Sequence, residues 1–216
     1  MSNGEENMKN ALSAMVVSLV GALTLSACQT TKEAAMLPPS EPMAPAAMPQ
    51  SYKAGDTFVT LWSSGENVNV EVISADEDSY TFQNAGSKCA NTRSRQLDFY
   101  APIKGENCSY GSITREISNI KGSLWPLKVG NTTSFDVKIT FNGSRTYNAS
   151  CEVTTEAHLS LPYGEDDVYQ VVCKDGIHNI TSYYSPAKQA VVKYRFLRLN
   201  RSEPYVDYEV VSINRK

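Results

Sequence analysis

The sequence predicts an all-β fold: a single antiparallel curved sheet, shaped as a half-barrel or a sandwich, after a disordered Pro/Ala-rich tether. Three observations predict it. Apolar residues recur with period two, most plainly Phe135, Val137, Ile139 and Phe141 interleaved with Asp136, Lys138 and Thr140. Dipeptides that tolerate positive φ, Asn142-Gly143 and Asp175-Gly176, stand between such stretches. No stretch carries a helical period.

The N-terminus has a different logic. Ala11 to Leu25 is apolar with small hydroxyl residues, follows Lys9, and closes on Leu25-Ser26-Ala27-Cys28 ahead of a Pro-rich segment. The positive, apolar, small-residue order is that of a signal peptide, and about fifteen residues are too few for a membrane-spanning helix. Glu5 and Glu6 do not suit its positive end, so translation is expected to start at Met8. The tetrad resembles the lipobox of a bacterial lipoprotein. That resemblance implies removal of residues 1–27, palmitate-type acylation of Cys28, and stable attachment to the membrane through more than one chain. Gln29, where Asp would retain the protein at the inner membrane, implies the outer membrane.

Residues 28–51 then read as the lipidated cysteine and its linker. Proline at the density of Leu37-Pro38-Pro39-Ser40-Glu41-Pro42-Met43-Ala44-Pro45 blocks helix and sheet and leaves a semi-rigid spacer. Residues 52–216 form one β-rich domain facing the periplasm or the cell surface, since about 165 residues suit one sizeable core and not two.

Within that domain Val68, Val70 and Val72 alternate with Asn69 and Glu71, and Tyr80 with Phe82 repeats the pattern. Asn142-Gly143 joins the Phe135–Phe141 strand to Tyr147–Val153 in a hairpin, and Asp175-Gly176 joins Val168–Cys173 to Ile177–Tyr184. Between them, a hairpin folded about Pro162 places Cys151 opposite Cys173. Ala190–Leu197 and Tyr205–Ile213 complete nine to eleven strands in meandering order. Once Cys28 is lipidated, Cys89, Cys108, Cys151 and Cys173 remain, an even set that reads as two disulfides in an exported chain. Three connectivities are open; the sequential one, Cys89 with Cys108 and Cys151 with Cys173, closes two short loops. Zinc is not expected, because no Cys-x-x-Cys pair exists and His158 and His178 lack ligand spacing.

The second half carries Trp125-Pro126-Leu127 with Val129-Gly130, then Leu161-Pro162-x-Gly164, Tyr169-x-Val171, Tyr183-Tyr184-Ser185-Pro186 and Val191-Val192-Lys193-Tyr194. As a set these resemble uncharacterised β-rich envelope proteins of Gram-negative bacteria, which implies an antiparallel sheet and no particular chemistry. Read from the residues alone, Trp125-Pro126 starts a strand at a sheet edge, and Tyr183 and Tyr184 face opposite sides of their strand, so that one at most is deeply buried.

Without residues 1–27 the chain keeps 19 basic and 21 acidic residues, a net charge of −2 against −3 for the whole chain, which is no footprint for nucleic acid. Lys188 to Arg201 is basic and Glu152 to Asp175 acidic, runs that read as solvated strand faces. There is no Gly-x-Ser-x-Gly elbow, no phosphate loop and no spare cysteine, so neither catalytic residues nor a cofactor are expected. An acid-base site would need His158 or His178 to converge with Glu156, Asp166 or Asp167. The expectation is a non-enzymatic outer-membrane lipoprotein serving as an accessory part of a cell-envelope assembly. The alternative is a lipid- or glycan-binding module. Its aromatic candidates are Trp62, Trp125, Tyr183 and Tyr184, drawn from two tryptophans and twelve tyrosines.

Overall fold

The computed structural model describes residues 36–47, 52–201, 204 and 206–216. The lipobox and Cys28 lie outside the described residues. Twelve strands follow one another in chain order: β1 Thr57–Trp62, β2 Asn67–Ala75, β3 Ser79–Asn84, β4 Ala90–Ser94, β5 Lys104–Glu106 and β6 Ile113–Gly122; then β7 Thr132–Thr140, β8 Ser144–Leu161, β9 Gly164–Lys174, β10 His178–Ser185, β11 Ala190–Arg198 and β12 Val206–Asn214. Every neighbouring pair is antiparallel, and no helix occurs among the described residues.

The sheet closes. β1 pairs with β12 over six registered pairs, from Thr57 opposite Asn214 to Trp62 opposite Tyr208. This corrects the half-barrel or sandwich: the twelfth strand returns to the first, and the closed barrel has no free edges. Closure needs local bending, which bulges provide at Val59/Thr60, Val72/Ser74, Ser118/Lys121, Val153/Thr155 and Tyr183/Tyr184. The residue before β1 and the C-terminus are pinned together at the seam, where the Asp56 carboxylate accepts from Arg215 at 3.2 Å and from the Lys216 backbone at 2.8 Å.

Alternation decides which side faces in. Along β7, Thr133, Phe135 and Val137 are buried while Thr132, Ser134 and Lys138 are exposed, and β8 repeats this with Ala149, Cys151 and Val153 against Asn148, Ser150 and Glu152. An apolar inside and a polar outside are the reverse of a membrane-spanning barrel, whose lipid-facing side is apolar. The Asn142-Gly143 turn takes φ of 49° and 128°, as its hairpin requires. The Asp175 turn is built differently: its carboxylate accepts from the backbone N–H groups of Ile177 at 2.9 Å and His178 at 2.8 Å.

Part of the segment read as an unstructured tether belongs to the fold. Ala46 and Leu127 exchange backbone hydrogen bonds of 3.0 and 2.7 Å, and the His158 N–H donates to the Leu37 carbonyl at 2.7 Å. Met43 N–H donates to Glu156 Oε2 at 3.0 Å, and the Tyr169 hydroxyl donates to the Ala44 carbonyl at 2.8 Å. Proline prevents this strap from forming a ladder of its own, yet it leaves carbonyls free to accept, and β8 beyond its pairing with β7 offers donors. Residues 36–47 thus pack on the strands as part of the same compact unit.

Tyr183 and Tyr184 are both buried, at 3% and 2% exposure, against the expectation of one. Alternation still holds; the sheet here is covered on both faces. Tyr184 packs in the main core with Tyr169, Val171 and Cys173, while Tyr183 packs in a second cluster with Val168, Ala157 and Leu159. The Val153/Thr155 bulge moves the odd-numbered residues of β8 from one face to the other, so Val153 serves the first cluster and Ala157 the second. Trp125-Pro126 does not begin a strand. It is a cis peptide unit in the β6–β7 connection, and Leu127 meets the strap.

Disulfides join Cys89 to Cys108 and Cys151 to Cys173, the latter directly opposite each other on β8 and β9. A loop with a separation of 22 residues corresponds to about 3 kcal/mol of restricted unfolded-chain entropy. The double variant Cys151→Ala/Cys173→Ala should therefore lose about 3 kcal/mol in a urea titration at unchanged native circular dichroism. A loss below about 1 kcal/mol would show that the ladder alone holds β8 to β9.

Candidate functional site

In an antiparallel meander successive connections alternate between the two ends of the barrel. The β4–β5 and β6–β7 connections share one end, and both fold inward. Leu97, Asp98, Phe99, Tyr100 and Ala101 from the first are all buried, as are Leu124 and Leu127 from the second. Together they plug that end. Phe99 packs edge-on against Tyr184, with ring centroids 5.9 Å apart, and Trp125 lies 5.5 Å from Phe99.

A plug of irregular chain brings backbone carbonyls into an apolar interior, where each needs a donor. Arg93 on β4 supplies it. Its Nη1 donates to the carbonyls of Asp98 and Tyr100, both at 2.6 Å, and its guanidinium lies 4.7 Å from the Tyr194 ring centre and 5.8 Å from that of Phe82. The Asp98 carboxylate accepts from the Tyr80 hydroxyl at 2.5 Å. Burial raises the Asp98 pKa, although Arg93 and the Tyr80 hydrogen bond act the other way.

Above the plug the barrel encloses a cavity of about 1090 Å³. Its wall is aromatic and draws on strands around the barrel: Phe58 from β1, Phe82 from β3, Tyr194 from β11 and Tyr208 from β12. The mouth lies at the opposite end, where Asn142, Gly143, Tyr110 and Arg198 form part of the rim. Burial pushes the Tyr208 hydroxyl up to about 12, so this hydroxyl stays protonated across the physiological range.

The aromatic candidates separate. Trp62 lines the cavity, and its Nε1 donates to Thr60 Oγ1 at 3.1 Å. Trp125, Tyr183 and Tyr184 pack within the protein and do not line it. The Tyr183 hydroxyl accepts from Gln170 Nε2 at 3.0 Å. Two histidine–carboxylate groups exist, well apart in the fold. On the β8–β9 hairpin His158 lies 2.7 Å from Asp167 and 3.1 Å from Glu165; the Asp167 hydrogen bond raises its pKa, and it does not face the cavity. Beside the β9–β10 turn, His178 Nδ1 lies 3.0 Å from Asp175 and its ring lies against Phe196 with centroids 4.8 Å apart. The basic run is a ladder face: Lys193 pairs with Glu209 at 2.8 Å and Arg195 with Asp207 at 3.4 Å, across β11 and β12. Arg198 alone of the run turns to the cavity.

No family model matches the chain, and no curated protein matches it. Among solved structures, it is similar to the hypothetical lipoprotein YmcC from Escherichia coli K12, at 11% identity and a TM-score of 0.47, over 73% of this chain and 84% of that one. A putative exported protein with a YmcC-like fold from Bacteroides fragilis is similar at 13% identity and a TM-score of 0.39, over 78% of this chain and all of that one. Neither likeness carries an activity to this chain.

Residues with no sequence signal do the most here. Arg93 lies in Asn91-Thr92-Arg93-Ser94-Arg95, where nothing marks one arginine as buried and the other as surface. Asp175 was legible only as a turn residue, yet its carboxylate accepts from the Tyr100 hydroxyl at 2.6 Å besides His178 and the turn. Burial alone would raise its pKa; the hydrogen bonds from His178, Tyr100 and Ile177 outweigh it and hold it at about 2, against 3.8 ordinarily. A depressed carboxylate contributes stability that is complete above the unfolded value and drains away as pH falls through the folded one. The free-energy difference between wild type and Asp175→Asn should thus reach about 2 kcal/mol near neutral pH and shrink between pH 4 and pH 2 in urea titrations. A pH-independent difference would show that packing, and not ionisation, is what the residue contributes.

Proposed function

We propose that the protein is a non-enzymatic binding module that holds a lipid- or glycan-like ligand inside the barrel. It is carried at the envelope by acylation of Cys28, at the outer membrane with the barrel on the periplasmic side, and serves an envelope assembly by presenting or withdrawing that ligand. One observation carries the reading: the barrel does not fill its own interior. A cavity of about 1090 Å³ remains above the plug, walled by aromatic rings and open at one end. That volume lies just above the roughly 300–1,000 Å³ range of small-molecule sites, which are concave, mostly apolar and largely preformed.

Three of the titratable groups near the cavity have structural duties, which supports binding over catalysis. Arg93 holds the plug's carbonyls, Asp98 accepts from Tyr80, and Asp175 holds His178 and Tyr100. The polar outer face and the strap at residues 36–47 suit a domain standing in water beside a membrane.

Val70 lines the cavity on β2, so Val70→Trp places an indole in the space without touching the plug. An alkyl probe bearing a diazirine, photolysed with the purified full chain, should label peptides containing Thr57–Trp62 and Val206–Asn214 in the wild type. Val70→Trp should cut that labelling about tenfold while thermal unfolding is retained. Labelling confined to outward-facing residues, or unaffected by Val70→Trp, would refute a ligand inside the barrel.

A further inference from the structure

Charge in the cavity is unbalanced. Arg93, Arg115, Arg145 and Arg198 line it, against Asp98 as the single acid among the lining residues. Asp98 neutralises none of them by contact: its carboxylate is engaged with the Tyr80 hydroxyl, and Arg93 donates to backbone carbonyls. The wall therefore combines an apolar surface with an excess of guanidinium groups over carboxylates, Asp98 offsetting Arg93 and Asp175 offsetting Arg115 through space and not by ion pairing.

Two polar atoms on that wall sharpen the point. Arg115, on β6, donates from Nη1 to the Pro102 carbonyl at 2.6 Å, which fixes the plane of its guanidinium. Its Nε is buried and meets no hydrogen-bond partner among the described residues, and the buried Tyr194 hydroxyl likewise meets none. Both residues line the cavity, with these two atoms lying just beneath its surface. Leaving a charged donor buried and unmatched is costly, and that cost disappears when a ligand brings an acceptor. A guanidinium accepts nothing, so the matching group is an oxygen acceptor, and the excess of arginine favours an anionic one. Phe58, Trp62, Phe82 and Tyr208 supply apolar surface in the same space.

We infer that the ligand is an anionic amphiphile: a carboxylate or phosphate group enters beside Arg115 and Tyr194 and, with a small shift of the wall, accepts from Arg115 Nε and the Tyr194 hydroxyl, and an alkyl chain lies along Phe58, Trp62, Phe82 and Tyr208. This rests on the cavity being the binding site proposed above, and narrows its occupant from lipid or glycan to a charged acyl or alkyl species.

Trp62 is a built-in reporter. With the full chain in octyl glucoside, its fluorescence should be quenched by 12-bromododecanoate, 12-bromododecyl phosphate and 12-bromododecanol, with Trp62→Phe identifying the cavity signal. The expected result is that at least one anion binds about tenfold or more tighter than the alcohol; which anion binds tighter names the head group. Arg115→Met should bring the preferred anion down to the affinity of the alcohol and leave alcohol binding unchanged. Tyr194→Phe, which removes a hydroxyl without touching a buried charge, should weaken the anion about threefold and serves if Arg115→Met does not fold. An alcohol that binds as tightly as both anions in the wild type, or an anion preference that survives both variants, overturns the anionic assignment while the cavity reading stands. If no probe quenches Trp62, the cavity reading fails with it.

Discussion

Everything inside the barrel depends on the two hydrogen bonds from Arg93 to the carbonyls of Asp98 and Tyr100. An irregular connection can enter an apolar interior only if its polar backbone finds partners there. A buried guanidinium is an expensive partner, but its planar fork serves two acceptors at once and its faces accept aromatic neighbours. Phe82 and Tyr194 take those faces. The plug then sits where Phe99, Tyr100 and Leu127 can form a core, and the space above it stays open. The cavity is a consequence of where the plug stops.

The β8–β9 hairpin plays a complementary part outside the plug. At eighteen residues β8 is about twice as long as most of its neighbours, and its bulge turns the far half so that it presents a second apolar face. Val192 and Val210 join Leu161 and Val168 there, so the hairpin closes against β11 and β12 instead of projecting into water. The strap at residues 36–47 accepts from the His158 N–H and donates to the Glu156 carboxylate on the same strand. One long strand thus organises a disulfide, two clusters and the N-terminal strap.

Much of this was legible in the sequence, for reasons that also explain the rest. Alternation in Phe135–Phe141 and the Asn142-Gly143 turn are local signals, and the β7–β8 hairpin follows from them. Closure is not local. Whether Thr57–Trp62 meets Val206–Asn214 depends on summed twist and on five bulges, and single-residue slips leave little trace in the pattern. The same bulges defeated the reading of Tyr183 and Tyr184, because alternation tells which face a residue takes and not whether that face is covered. Trp62 stood out as a rare aromatic and does line the cavity, whereas Arg115 and Tyr194 matter through what surrounds them in space.

The central claim is that the barrel holds a small molecule above its plug. Its most direct test is the mass of the full chain, purified from its native source, recorded first under native and then under denaturing conditions. The account predicts a non-covalent mass, one per chain, present in the native spectrum and lost on denaturation, with negative-ion fragments of a carboxylate or phosphate amphiphile. Identical native and denatured masses, in each of several purification detergents, would contradict it.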